Sequence, residues 1–219
     1  MEPLPELLER ALLYGVAPVW ILAGFADFAC HRAMRIEHSA GVRESSLHLF
    51  MLAELGIGVL CALLLELTTA AFAILLLACV AHEVTMCADL AYAESQRRIP
   101  WYEQWVHGLQ QAVPWVAVGA LMLLHAPQAM ALFGLGDVPP DWGLRLKQAP
   151  LPAWYLLVFF GSGLLLVIGP FLQEFRRCRR QSAQLSSSAV TSEGTGKETE
   201  ADWPGHAAEP GPLDYADRA

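Results

Sequence analysis

Residues 151–172, LPAWYLLVFFGSGLLLVIGPFL, form a run of 22 residues without a charge. As a helix rising about 1.5 Å per residue, the run is long enough to cross a hydrocarbon core of about 30 Å. Pro150 and Pro152 precede it, and Trp154 and Tyr155 stand where an interfacial aromatic belt would. Arg176, Arg177, Arg179 and Arg180 follow at once and read as a cytoplasmic anchor.

Four shorter apolar runs precede it, at 11–26, 47–65, 67–81 and 112–124. Each reaches the ~20 residues of a span only by taking in ionisable residues at one end. The predicted spans are therefore 8–31, 44–66, 69–92, 103–125 and 151–172. The expected fold is an all-α transmembrane bundle of about five spans. Open sheets are excluded in lipid, where backbone groups must be satisfied within the segment. Composition agrees: of 219 residues, 55% are apolar and only 16% charged, and the mean hydropathy is +0.38. A net charge of −8 leaves no basic surface for nucleic acid.

The polar stretch 181–219 reads as a disordered acidic tail. The acidic N-terminus, MEPLPE, does not read as a cleavable signal peptide. The five cysteines are scattered singly, which argues for small buried thiols rather than disulfides. Residues 127–150 are expected as a short amphipathic or irregular loop on the outer surface. Pro114 is expected to kink the fourth span. Gly56, Gly58, Gly161 and Gly163 are expected to allow close helix contact. Alternate loops carry very unequal basic charge. Arg32, Arg35, Arg43, Arg97, Arg98 and the four late arginines share one side, against Arg10, Arg145 and Lys147 on the other. The first side is then cytoplasmic, with the N-terminus outside and the C-terminus inside.

The ionisable residues inside the spans carry the functional signal, because such groups are costly in lipid. Asp27 and His31, Glu44 and His48, and Glu103 and His107 are each four residues apart, and His82 and Asp89 are seven apart. At those spacings each pair shares a helix face. Four helices thus bring carboxylate and imidazole to one membrane depth. Bundle cores are where di-metal carboxylate sites are built, and this donor set suits iron, manganese or zinc. The metal candidates are His31, Glu44, His48, His82, Glu103 and His107, with His48 and His82 foremost. Asp27, Glu37, His38, Glu83 and Asp89 are further ligand or outer-sphere candidates. Iron, as one or two ions, is the expected cofactor. A b-type haem between His48 and His82 or His107 is disfavoured by the surrounding carboxylates. His82-Glu83 opens like a zinc-protease motif, but Met86 stands where its second histidine belongs. Arg32, Arg35, Arg43, Arg97 and Arg98 are candidates for holding an anionic lipid or substrate head group.

Two resemblances follow from these residues. The set His31, His38, Glu44, His48, His82 and His107 resembles the histidine-box di-iron membrane oxygenases, which oxidise lipid-like chains at the cytosolic ends of their helices. It departs from them in lacking an HxxxH or HxxHH box. The stretches HRAMRIEHSAGVRESSLH from His31 and AHEVTMCADLAYAESQRRIPWYEQWVH from Ala81 are similar to small bacterial inner-membrane proteins of unknown function. That similarity covers about residues 10–125 and implies a bacterial inner-membrane location. The resulting expectation is a metal-dependent membrane oxidoreductase acting on a lipophilic substrate. The competing expectation is a non-enzymatic membrane protein, such as an assembly factor, accessory subunit or sensor, whose polar belt ties the helices together.

Overall fold

The structure is a computed structural model that describes the backbone of residues 3–199 and the side chains of residues 3–188. The described residues up to Ser182 form one compact unit, and those from Ala183 on belong to a second. In the first unit five helices are long and apolar enough to cross a membrane, and no strand occurs among the described residues. The first, α1, covers Leu4–Met34, with a π turn at Leu12–Val16. α2 is Gly41–Leu64, α3 Thr69–Gln96 and α4 Trp101–Leu124. A short α5, Ala126–Leu132, follows. α6 begins at Ala153–Gly163, passes a second π turn at Leu164–Ile168, and continues as Gly169–Thr199. Of the expected tail, residues up to Thr199 are helical and 200–219 lie outside the described residues.

Local signals set the boundaries. α1 ends where Arg35 takes a left-handed conformation (φ 51°), which turns the chain into a single 3-10 turn, Ile36–His38. Gly41 (φ +62°) then starts α2, a conformation that a residue without a Cβ adopts at little cost. Thr68 caps α3, its hydroxyl accepting from the Ala71 amide at 3.3 Å. Pro100 and Pro152 stand immediately before α4 and α6.

α2 and α3 form a tight antiparallel hairpin, α1 packs on α4 and on the π turn of α6, and α3 also touches α4 and α5. The largest apolar core lies near the α2–α3 connection, around Phe72, Leu75, Cys61 and Val118. Large apolar side chains also point outward, with Leu77 70% and Leu157 75% exposed. Apolar faces turned both inward and outward are the pattern of helices packed in lipid. Five such helices support a membrane protein.

The segment after α5 does not float free. It folds back on the α2–α3 connection, where Lys147 N–H donates to the Leu64 carbonyl (2.9 Å) and Thr68 donates to the Gly143 carbonyl (3.0 Å). All five cysteines are free, but Cys87 is exposed on the outside of α3 rather than buried. The glycines divide by role. Gly58 faces Ala78 at 3.5 Å, as expected of a close contact, whereas a Cβ on Gly56, Gly161 or Gly163 would meet nothing within 4 Å. The tightest glycine contact between helices is Gly24, where a Cβ would lie 3.1 Å from Val167. Gly24→Leu is therefore expected to push α1 from α6 and to destabilise the protein by about 1–3 kcal/mol. The unfolding temperature in detergent, compared with Gly56→Leu, measures this; equal shifts would remove the packing argument.

Candidate metal centre

Eight ionisable residues from all five long helices meet at one end of the bundle. Asp27 and His31 come from the last turns of α1, and Glu44 and His48 from the first turns of α2. Asp89 comes from α3, Glu103 and His107 from α4, and Glu174 from α6. Each is at most 4% exposed.

His31 is the hub. Its Nε2 lies 3.4 Å from Asp27, 3.3 Å from Glu103 and 3.9 Å from Glu44, and its Nδ1 lies 3.3 Å from Glu174. His48 reaches Glu174 at 3.3 Å through Nδ1 and Asp89 at 3.2 Å through Nε2. His107 Nε2 is 3.0 Å from Asp27. The rings of His31 and His48 stack at 4.4 Å with 14° between planes, and Phe171 stands edge-on to both. One atom from each of Asp27, His31 and His107 falls within 4.8 Å of the other two, and the same holds for His31, Glu44 and His48. Both triads can hold a metal ion.

Two physical features suit a cation. Neither ring nitrogen of His31 makes a well-directed hydrogen bond, despite the oxygens around it, and Asp89 Oδ1, His107 Nδ1 and Glu174 Oε2 are likewise buried without one. Ligands held about 2.1 Å from one ion stand roughly 3.0–3.4 Å apart, which matches the close His–carboxylate separations here. The second feature is charge. Five buried carboxylates face one buried guanidinium, leaving four negative charges if the imidazoles are neutral. Two divalent cations would balance that number, and uncompensated charge at this depth is expensive.

That guanidinium is Arg97, between α3 and α4. It donates to Glu44 through Nε (3.2 Å) and Nη2 (2.5 Å), and to Glu103 through Nη1 (3.0 Å) and Nη2. Burial works against its charge, but the bonds to Glu103 and Glu44 outweigh this and raise its pKa further. Named from the sequence as a candidate for an anionic lipid or substrate head group, Arg97 clamps two carboxylates of the chain itself. Arg43 is exposed and lies over the Tyr92 ring at 4.4 Å; Arg32, Arg35 and Arg98 are exposed.

Other candidates lie apart from the centre. His82, ranked with His48 by sequence, is buried with neither ring nitrogen hydrogen-bonded and joins neither triad. The reason is helical rise: seven residues separate it from Asp89, about 10 Å along the axis. Glu83 turns toward α4, where Gln111 and Trp115 Nε1 (3.3 Å) donate to it. Glu37 pairs with Arg177 at 3.4 Å, and His38 is exposed on the 3-10 turn.

Glu174 is the residue the span assignment passed over, because it lies just beyond the uncharged run and among arginines. A signal existed: Phe171, Glu174 and Cys178 follow i, i+3, i+7, and all three are buried. Glu174→Gln keeps the shape but removes one charge shared by His31 and His48. We expect about a tenfold or greater loss of metal affinity, read by anaerobic titration with Mn²⁺ or Fe²⁺. Unchanged affinity would place Glu174 outside the ligand set.

An apolar cavity of about 320 Å³ abuts the centre, between α1, α2 and α6. Asp27 and His48 line its polar end, and the π turn Leu164–Ile168 supplies much of its wall. π turns inside α-helices often mark functional positions. Pro114 is buried within the continuous α4. It lacks the N–H that would pair with the Gln110 carbonyl, and Gln110 lines the same cavity.

No family model matches this chain, and neither curated proteins nor solved structures show a significant match to it.

Proposed function

We propose that this protein is a metal-dependent membrane oxidoreductase that acts on a lipophilic substrate at a di-iron-like centre. The observation that carries this reading is the convergence of two buried His–carboxylate triads beside an apolar cavity. Iron bound there would supply oxygen activation. In the balanced reaction, a C–H bond becomes C–OH with one oxygen of O₂, and the other leaves as water with two electrons and two protons from an external reductant.

The chain's own residues have defined parts. His31, His107 and Asp27 would hold one ion, and His48 with Glu44 a second. Glu174 lies between the imidazoles of His31 and His48 and would share the second ion with His48 Nδ1, while Asp89 orients His48 through Nε2. Asp27 and His48 also face the cavity, so a bound chain meets them first. The protein sits in this reading in a bacterial inner membrane, N-terminus outside, with exposed Arg32, Arg35, Arg43 and Arg98 against anionic lipid head groups.

A non-enzymatic reading has one observation in its favour. Arg97 already offsets Glu44 and Glu103, so part of the network closes without any ion. The deciding experiment loads purified protein in nanodiscs with Fe²⁺ under anaerobic conditions, adds a reductant and ¹⁸O₂, and examines the lipid extract by mass spectrometry. Metal retained with ¹⁸O entering a lipophilic product supports the oxidoreductase. Only trace metal after loading would leave the structural network as the account.

A further inference from the structure

A second cavity, of about 490 Å³, lies toward the opposite end of the bundle from the metal centre. The two compartments are walled in common by Trp20, Val59 and Phe159, so they meet at those side chains. From His48 to Leu64, where α2 ends, is 16 residues, and Glu66 stands two residues beyond. At about 1.5 Å per residue the helical part is roughly 24 Å, most of the hydrocarbon thickness. The combined space suits roughly two dozen methylene-sized groups of ~30 Å³ each. That is room for one long chain with a small head and too little for a two-tailed lipid.

The two ends differ in chemistry. The inner compartment is apolar apart from Gln110, Asp27 and His48. The outer compartment carries Glu6, Glu9 and Glu66 against Lys147, with His125 beside them. Lys147 already donates to the Ala62 carbonyl at 2.9 Å, and Glu66 accepts from the Gln148 amide at 2.7 Å. Burial lowers the pKa of both Lys147 and His125.

We propose that the two compartments form one passage for a single-chain amphiphile with a cationic head group, the head at the Glu6–Glu9–Glu66 rim and the tail tip at Asp27 and His48. The identity of the occupant as a substrate rests on the oxidoreductase reading; its binding does not. The tail tip, rather than the carbons next to the head, is then the part of the molecule presented to the metal centre.

Trp20 is the one tryptophan among the residues lining either cavity, which makes it a reporter. The full chain is placed in nanodiscs of unbrominated phosphatidylcholine and titrated with a mid-chain-brominated hexadecyl trimethylammonium probe. We expect wild type to lose more fluorescence than Trp20→Phe, with the difference reversed by excess unbrominated probe and not by hexadecanoate. Equal quenching in both proteins would overturn the passage, and displacement by hexadecanoate would overturn the cationic head.

Gly163→Leu provides the second arm. It adds a side chain in the inner compartment, where a Cβ meets nothing within 4 Å. We expect it to weaken the hexadecyl probe by about tenfold, about 1.4 kcal/mol, while sparing a dodecyl analogue. Equal effects on both chain lengths would refute the placement of the tail. Metal content is measured on the same samples. Probe bound without metal would sink the oxidoreductase reading alone, and metal without the Trp20 signal would sink the passage alone.

Discussion

His31→Ala is expected to lower the affinity for a divalent transition metal by more than about 100-fold, whereas His82→Ala leaves it within error. By sequence His82 stands ahead of His31 as a ligand, and both are buried. Their surroundings differ. His31 belongs to both triads and has four carboxylates within 4 Å of its nitrogens, while His82 belongs to neither triad. Loss of an outer-sphere partner alone costs about 10–100-fold, so removing a shared ligand costs more. The measurement is anaerobic titration with Fe²⁺ or Mn²⁺, with elemental analysis giving the stoichiometry. Wild type is expected to approach two ions, the number that balances the buried carboxylates against Arg97. Equal affinity in wild type and His31→Ala would mean that no metal centre exists here.

The second large effect concerns Arg97. Arg97→Met removes the guanidinium that bonds Glu44 and Glu103, both 0% exposed, and leaves them only the His31 imidazole nearby. Breaking one side of a buried ion pair costs about 3–5 kcal/mol, because the remaining charge stays desolvated. We expect a large fall in thermal stability in detergent. Adding Glu44→Gln and Glu103→Gln to Arg97→Met should restore most of it, since the stranded charges are then gone. Divalent metal should also stabilise Arg97→Met more than it stabilises wild type. A stability change below about 1 kcal/mol would show that Arg97 is a solvated surface charge and that the clamp is not formed.

The five helices were legible in the sequence because hydrophobic run length is a local property. Residues 151–172 needed nothing from the rest of the chain to read as a span, and the observed helices overlap all five predicted ones. The shared faces of Asp27 with His31, Glu44 with His48 and Glu103 with His107 were legible for the same reason. Spacings of four residues fix a shared face on one helix.

Two features of the site were not legible. Glu174 was hidden by its arginine neighbours, because composition reports the average of a segment and not the face a single residue takes. Arg97 read as a topology anchor because the loop holding it is polar, yet its side chain turns inward between α2 and α4. His82 read as a ligand because its distance in depth from Asp89 matters only once Asp89 is known to sit at the centre.

Sequence alone thus determined the number of long apolar helices, their lipid-compatible length and the end of the bundle that holds the acids and imidazoles. Tertiary structure alone decided that His31 is the hub, that α6 contributes Glu174, that Arg97 closes two carboxylates, and that an apolar cavity ends at Asp27 and His48. The physical reason is that run length and periodicity act within one helix. The rotation of each helix about its axis is set by packing such as Gly24 against Val167 and Gly58 against Ala78, which joins residues far apart in the chain.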